Sequence, residues 1–270
     1  MGNVKVRAKK HLGQHFLKDK RIAAAIVDSL GAGDCDAVLE IGPGTGVLTR
    51  FLAERNFQVL KIVEIDNEAA DYLDKNVSGS YEIIRGDFLK LDLKAIGEKL
   101  AVIGNFPYNI SSQIFFRIIE NRDRVNEVTC MIQKEVADRI CAGPGSRTYG
   151  ILSVLLKAWY DIEYLFTVSE EVFDPPPKVK SAVIHLRRND RLRLDCDEKL
   201  FISVVKRSFN QRRKMLRNPL RMMVKDDAGN MPYLTMRAEQ LSVEQFAVLT
   251  AWIAANRKSA GKASAEDQNE

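Results

Sequence analysis

The sequence predicts an α/β protein followed by a small all-helical domain, and three observations predict it. From Ala37 to Gln133, short apolar runs alternate with helical periodicity, the pattern of a mostly parallel sheet with helices on both faces. The first of those runs, Val38 to Ile41, flows into the glycine-rich turn Gly42-Pro43-Gly44-Thr45-Gly46, where missing Cβ atoms let the backbone approach a ligand. Beyond about Asn189 the strand pattern stops and helical spacing takes over. A chain of 270 residues has room for one full α/β domain and a smaller one.

The elements follow in order. Residues 1–20 read as a basic arm, and Ile22, Ile26 and Leu30 space out a helix from Arg21 to about Leu30. After the first strand and its turn comes a helix over Val47 to Glu54, then a strand over Gln58 to Val63 that ends in Glu64-Ile65-Asp66. A strand over Tyr81 to Ile84 ends in Arg85-Gly86-Asp87-Phe88, and one over Leu100 to Ile103 ends in Asn105-Phe106-Pro107-Tyr108, with a helix starting near Ile110-Ser111-Ser112. A helix through Lys134 to Arg139 runs to the Gly143-Pro144-Gly145 break, and another begins near Tyr149-Gly150. Strands over Tyr160 to Val168 and Ser181 to Leu186 are joined through Pro175-Pro176-Pro177, a stiff extended stretch that presents Phe173 at a defined place. Helical periodicity covers Phe201 to Met223 and Val243 to Ala255, the second opened by Ser242. The expected domains are the arm at 1–20, an α/β domain at 21–189, a helical domain at 190–257 and a disordered tail at 258–270.

Composition narrows the function classes. Hydrophobic residues make up 46% and charged residues 29%, which excludes a disordered chain. No apolar run approaches the ~18 to 20 residues of a spanning helix, and the basic N-terminus lacks a signal core, so the expected location is the cytoplasm. The cysteines Cys35, Cys130, Cys141 and Cys196 are scattered without a Cys-x-x-Cys pair, so neither a metal nor a disulfide framework is expected. No long apolar seam is visible, and a monomer is expected.

The turn at Gly42 and Gly44 and the acid Glu64, 22 residues beyond Gly42, use the logic of a nucleoside site, with the carboxylate accepting from ribose hydroxyls. The spacing is G-x-G-x-G and no Lys-Ser/Thr follows, which argues against a dinucleotide pyrophosphate and a Walker site. S-adenosylmethionine, which has no phosphate, fits better, with Asp87 accepting from its adenine amino group. Asn-x-Pro-Tyr at a strand exit suits methylation of an exocyclic amino group. The Asn105 side chain and the Pro107 carbonyl hold the two N–H donors so that the nitrogen lone pair localises, while Tyr108 stacks on the base, with Phe173 as a second ring.

Charge distribution points to a nucleic-acid partner. Between Lys206 and Lys225 there are eight Lys or Arg and no Asp or Glu, and the candidate phosphate contacts are Lys206, Arg207, Arg212, Arg213, Lys214 and Arg217. The N-terminal stretch to Arg21 carries seven basic residues, Lys5, Arg7, Lys9, Lys10, Lys18, Lys20 and Arg21, against the single acid Asp19.

Assembled in order, Leu12–Leu17, Glu40–Gly46, Glu64-Ile65-Asp66, Gly86-Asp87, Gly104–Ser111, Gln133–Val136, Phe173 with Pro175–Val179, and Phe209–Lys214 resemble the small-subunit ribosomal RNA adenine N6,N6-dimethyltransferases. The resemblance runs from His11 to about Ala255. It implies a Rossmann-like class I methyltransferase sheet of seven strands, one antiparallel, and a helical C-terminal domain that grips RNA. It also implies cofactor contacts from His15, Leu17, Gly42, Glu64, Asp87 and Asn105, base handling by Asn105, Pro107 and Tyr108, and a substrate of two adjacent adenosines near the 3′ end of 16S rRNA in the small ribosomal subunit. Many members have Asn where this chain has His15, and Leu or Ile where it has Phe106, whose bulk between the reactive residues is expected to reshape the pocket without removing the chemistry. Two competing readings are a large-subunit rRNA adenine methyltransferase of the antibiotic-resistance type and a mainly non-catalytic assembly factor. A DNA adenine methyltransferase is disfavoured because no extra target-recognition domain is visible.

Overall fold

The computed structural model describes residues 6–225 and 230–257. The expected tail at 258–270 and the first five residues of the arm, Lys5 included, lie outside the described residues. In chain order the elements are β1 (Phe16–Leu17), α1 (Lys20–Asp28), β2 (Ala37–Ile41), α2 (Val47–Ala53), β3 (Leu60–Glu64), α3 (Asn67–Asn76), β4 (Glu82–Arg85), β5 (Leu100–Asn105), α4 (Ser111–Glu120), β6 (Val125–Gln133), α5 (Lys134–Cys141), α6 (Ile151–Lys157), β7 (Tyr160–Val168), β8 (Phe173–Asp174), β9 (Ser181–Arg188), α7 (Glu198–Asn210), α8 (Arg217–Leu220) and α9 (Val243–Ala255). None of the described helices is long and apolar enough to cross a membrane.

Seven strands form one sheet in the order β4-β3-β2-β5-β6-β9-β7, and β9 is the strand antiparallel to its neighbours β6 and β7. The expected seven-stranded mixed sheet is therefore present. β2 is buried at all five positions and β5 at its first five, which is why both read as unbroken apolar runs: parallel strands covered on both faces have no solvent side to alternate with. The covering helices show the complementary pattern. In α4 the buried positions are Ser111, Ile114, Phe115, Ile118 and Ile119, one stripe of an amphipathic helix.

The chain folds back between β2 and β5, because β3 and β4 lie to one side and β6, β9 and β7 to the other. At this seam a Cβ on Gly104 would sit 2.5 Å from the Ile41 carbonyl oxygen and 3.2 Å from the Phe106 ring. Glycine here admits close backbone approach and lets the Phe106 ring turn into the core, where it meets Phe115 edge-on at 5.9 Å.

The chain divides into two compact units, residues 1–142 with 156–191, and residues 143–155 with 192–270. The first contains the whole sheet and also the N-terminal arm, whose β1 pairs antiparallel with β8. The second differs from the expected 190–257 domain by taking in 143–155. The reason is an aromatic contact: Tyr149 packs edge-on to Phe209 of α7 at 6.1 Å, and Phe209 lies 6.1 Å from Phe246 of α9. The helix expected over Phe201 to Met223 ends at Asn210, and residues 211–216 turn before α8. α9 matches its expected span, opened by a capping box between Ser242 and Gln245.

Gly104→Ala is expected to lower stability by about 1–3 kcal/mol, as overpacking against rigid backbone does. Gly33→Ala, where an added Cβ meets nothing within 4 Å, stays within about 0.5 kcal/mol. Urea unfolding midpoints of the two variants at constant m-value check the contrast.

Candidate active site

The carboxyl ends of β2, β3, β4 and β5 open onto one cleft beside the seam, the place where open α/β sheets bind ligands. It encloses about 840 Å³ including its mouth, the scale of a nucleoside-sized ligand site. His15, Leu17, Gly42, Gly44, Glu64, Asp87, Asn105, Pro107 and Tyr108 all line it. Residues far apart in sequence are gathered there because four groups of them stand at the carboxyl ends of adjacent strands and the arm adds His15 and Leu17.

The glycine turn has a left-handed backbone at Gly42 (φ 65°) and Gly44 (φ 58°). A Cβ on Gly44 would lie 2.8 Å from the Phe16 ring, so this glycine makes room for the N-terminal segment that roofs the cleft. Glu64 is 3% exposed and its two oxygens accept from the backbone N–H groups of Gly44 (3.1 Å) and Asp66 (2.8 Å). Burial raises its pKa against the pull of those N–H groups, and each oxygen keeps a lone pair for a further donor. Asp87 spends one oxygen capping the turn at Leu89 N–H (2.9 Å) and has the other for a ligand.

Asn105 is the most constrained polar group in the cleft. Its Nδ2 donates to the His15 carbonyl at 2.9 Å, which fixes the orientation of the amide, since the flipped form would set oxygen against oxygen. Its Oδ1 is left buried with no partner. A buried acceptor without a donor is costly, and it is the group a ligand N–H satisfies. The cofactor expected from the sequence fits on these grounds: acceptors at the ends of the neighbouring strands β3 and β4, a Cβ-free turn after β2 on the other side of β3, and a waiting acceptor at Asn105.

Tyr108 is held at both ends. Its hydroxyl hydrogen-bonds Ser181 Oγ at 2.5 Å, and its ring stacks on His15 with centroids 5.3 Å apart and planes 27° apart. Burial raises the phenol pKa, so the group is neutral near pH 7. His15 Nδ1 lies 2.8 Å from the Pro175 carbonyl, which only accepts, so Nδ1 carries the proton. The Pro107 carbonyl is turned to the Ile110 N–H at 3.2 Å and keeps one lone pair.

Three expectations are corrected. Phe173 is held at a defined place, but that place is the interior: it is fully buried in the same core cluster as Leu17, Ile26 and Val183, and its backbone pairs with Leu17. A ring with no free face cannot stack on a base, so in this structure Phe173 supports Leu17 from behind. Phe106 does not reshape the cleft with its bulk, since its ring faces the core. Arg212 is occupied within its own unit, bonded to Glu239 Oε2 at 2.5 Å and to the Ser146 and Arg147 carbonyls, and so fastens residues 143–155 rather than offering a free cation. Arg207, Arg213, Lys214 and Arg217 are exposed, and their side chains have no hydrogen bond or ion pair among the described residues.

Other contributors escaped the sequence reading. Lys9 Nζ and Gln14 Nε2 (3.1 Å) both donate to Asp66, tying the arm to the end of β3. Burial works to raise the Asp66 carboxyl, yet Lys9 and Gln14 outweigh it and hold it below its ordinary range. Asn109 Nδ2 donates to the His11 carbonyl at 3.2 Å and completes the roof. Ile65, 52% exposed, lies on the cleft beside Glu64 and offers an apolar surface for a planar ring. Glu40, beneath the glycine turn on β2, is fully buried, receives the Thr49 hydroxyl at 2.7 Å and has its Oε1 unpartnered.

The model of a family described as ribosomal RNA adenine dimethylase matches residues 5–255. The chain is 58% identical over 249 residues to the ribosomal RNA small subunit methyltransferase A of Parabacteroides distasonis, covering 91% of this chain and 93% of that one. It superposes on a dimethyladenosine transferase from Plasmodium falciparum with a TM-score of 0.74 at 24% identity, over 87% of this chain and 96% of the other, a likeness of fold. The 23S rRNA methyltransferase ErmE gives a TM-score of 0.64 at 25% identity, over 87% of this chain and 99% of the other.

Glu40 generates a pH prediction. Burial, reinforced by the Glu64 charge and opposed by Thr49, raises its pKa from 4.5 to about 8. Between those values the folded chain keeps a proton that the unfolded chain has released, so this group makes stability fall as pH rises from 4.5 to about 8. Glu40→Gln, a neutral isostere, is expected to remove that slope and gain on the parent as pH rises. Denaturation midpoints of both proteins at several pH values in this window check it, and parallel curves would refute it.

Proposed function

The chain belongs to the ribosomal RNA adenine dimethylase family, and from that premise we propose that it transfers methyl groups to N6 of two adjacent adenosines near the 3′ end of 16S rRNA, giving N6,N6-dimethyladenosine. The observation that carries this reading is the unpaired, buried Oδ1 of Asn105 at the end of β5, in an amide whose orientation His15 fixes. An acceptor placed there receives one N6–H of the base, and the free lone pair of the Pro107 carbonyl receives the other. Holding both donors leaves the nitrogen lone pair directed out of the ring plane, toward the methyl.

S-adenosylmethionine, when bound, supplies an electrophilic methyl on a sulfonium. Glu64 and Asp87 would hold its ribose and adenine ends, the Gly42–Gly44 turn leaves room for it, and His15 and Leu17 belong to the roof that keeps water out. The base stacks on the Tyr108 face that His15 leaves uncovered, an interaction worth about 1–3 kcal/mol. The work of these residues is alignment of the base in a site that excludes water, and the described lining residues hold no strong base for the purpose. The methylated amino group is acidic once it carries positive charge and loses its proton to water. The second transfer needs a pocket that admits one methyl already present, and the glycine turn supplies space rather than side chains there.

Arg207, Arg213, Lys214 and Arg217 neutralise rRNA phosphates, and Lys206 stands with them on exposed surface of the same unit. The small-subunit target is favoured over a large-subunit one by the 58% identity to a small-subunit enzyme against 25% to the 23S methyltransferase. A role in late subunit assembly accompanies the same recognition, since an enzyme selective for one rRNA conformation also reports on it.

Transfer of labelled methyl to unmethylated small subunits, large-subunit rRNA and duplex DNA tests the reading. Dimethyladenosine is expected with the small subunit alone. Label on large-subunit rRNA would favour a resistance-type enzyme, and tight subunit binding without label would favour an assembly factor. Asn105→Ala is expected to lower the single-turnover rate on the order of 100-fold or more while weakening cofactor binding far less. Near-normal methylation by that variant would contradict the role given to Oδ1.

A further inference from the structure

A second concavity lies behind the roof of the cleft. Open solvent at its mouth included, it spans about 860 Å³, and it is walled by residues 6–8 of the arm, by Phe16, Leu17 and Lys18, by Thr45, and by Asp174 and Pro175. Phe16, Leu17 and Thr45 line both this groove and the cofactor cleft, so the wall between them is one strand thick. Pro175 joins them as well: it borders the groove, while its carbonyl takes the His15 Nδ1 proton and the His15 ring stacks on Tyr108.

Four described cations of the arm, Arg7, Lys10, Lys18 and Lys20, have no side-chain partner among the described residues, and two of them line this groove. Lys9 is committed to Asp66 and Glu68, and Arg21 to Asp19. Arg7 and Lys18, the two cations on the groove, are exposed and their side chains have no hydrogen bond or ion pair among the described residues. Among the described lining residues the one carboxylate is Asp174, so the cations there exceed it by one charge. Two uncommitted cations over a floor of Phe16, Leu17 and Pro175 suit a ligand that alternates anionic groups with less polar ones.

We propose that this groove binds the RNA backbone flanking the target adenosine, with Arg7 and Lys18 each neutralising one phosphate. The proposal rests on the rRNA-methylating reading. A base drawn out of its stack to reach Tyr108 brings its own sugar and phosphates to the cleft mouth, and the adjoining nucleotide must lie against whatever surface borders that mouth. The groove shares Phe16, Leu17 and Thr45 with the cleft and reaches the Tyr108 side through Pro175 and His15, so it is a surface that nucleotide can lie against. Its cations do not read sequence; they fix the register of the strand, as phosphate contacts do.

The test uses the full chain with Arg7→Gln and Lys18→Gln combined, both at exposed positions. Binding to unmethylated small subunits is titrated from about 50 to 200 mM salt, alongside S-adenosylmethionine affinity and methyl transfer. Loss of two phosphate contacts to a single strand is expected to reduce the log–log salt slope by about 1.4, so that the variant's deficit at low salt shrinks roughly sevenfold across that range. Cofactor affinity stays within about twofold, and Arg7→Lys with Lys18→Arg retains the parent slope. An unchanged slope in a variant whose parent methylates small subunits overturns the groove while leaving the enzyme reading intact. A parent that binds with the larger slope but transfers no methyl overturns the enzyme reading and leaves the groove as an RNA contact.

Discussion

The close approach of β2 and β5 is the constraint on which the rest depends. Gly104 lets the Ile41 carbonyl come within a distance that no Cβ tolerates, and at this seam the chain sends β3 and β4 one way and β6 the other. Two strands that part company leave a crevice above their carboxyl ends. The glycine turn follows one of them and the Asn105 loop follows the other. The cofactor side and the base side of the reaction are thereby set by adjacent strands of one rigid sheet, and a displacement of either would be felt as misalignment of donor and acceptor.

A crevice alone would be open to water, and the N-terminal segment closes it with polar ties rather than with bulk. Asn105 reaches the His15 carbonyl, Asn109 the His11 carbonyl, and Asp66 holds both Lys9 and Gln14. Two of these ties also finish a task on the opposite side. Asp66 caps α3 at Glu68 N–H, and Asn105, by donating through Nδ2, commits its oxygen to the cleft. The roof and the reactive groups share hydrogen bonds, so cleft geometry depends on the roof being closed. Phe173 belongs to this economy too, buried behind Leu17 where it stiffens β1 from the core.

What the sequence made legible was whatever local physics decides. Buried parallel strands read as apolar runs, glycines marked the turn with positive φ, and acids at strand ends marked caps and acceptors, so the cleft residues from Gly42 to Tyr108 were found in order. Three features were set by tertiary contacts that leave no periodic trace. Arg212 looks like its basic neighbours until Glu239, distant in sequence, takes its charge. Residues 143–155 join the C-terminal unit because Tyr149 meets Phe209, a pairing of single rings. Proline stiffness fixed where Phe173 stands but carried no information about which side of the chain is core.

The distribution of charge argues for division of labour between cleft and surface. The charged side chains lining the cleft are the carboxylates Glu64 and Asp87, with no Lys or Arg among the described lining residues. Lys9, the arm cation tied at the end of β3, is neutralised by Asp66. A cationic sulfonium and an uncharged base are at home in such a site, whereas a phosphate would meet repulsion there. Uncommitted cations stand elsewhere, among them Arg7 and Lys18 behind the roof and Arg207, Arg213, Lys214 and Arg217 in the C-terminal unit. A polyanion bearing one extractable base therefore finds attraction for its backbone outside the cleft and a place only for its base within it, which is a selection by charge that precedes any selection by shape.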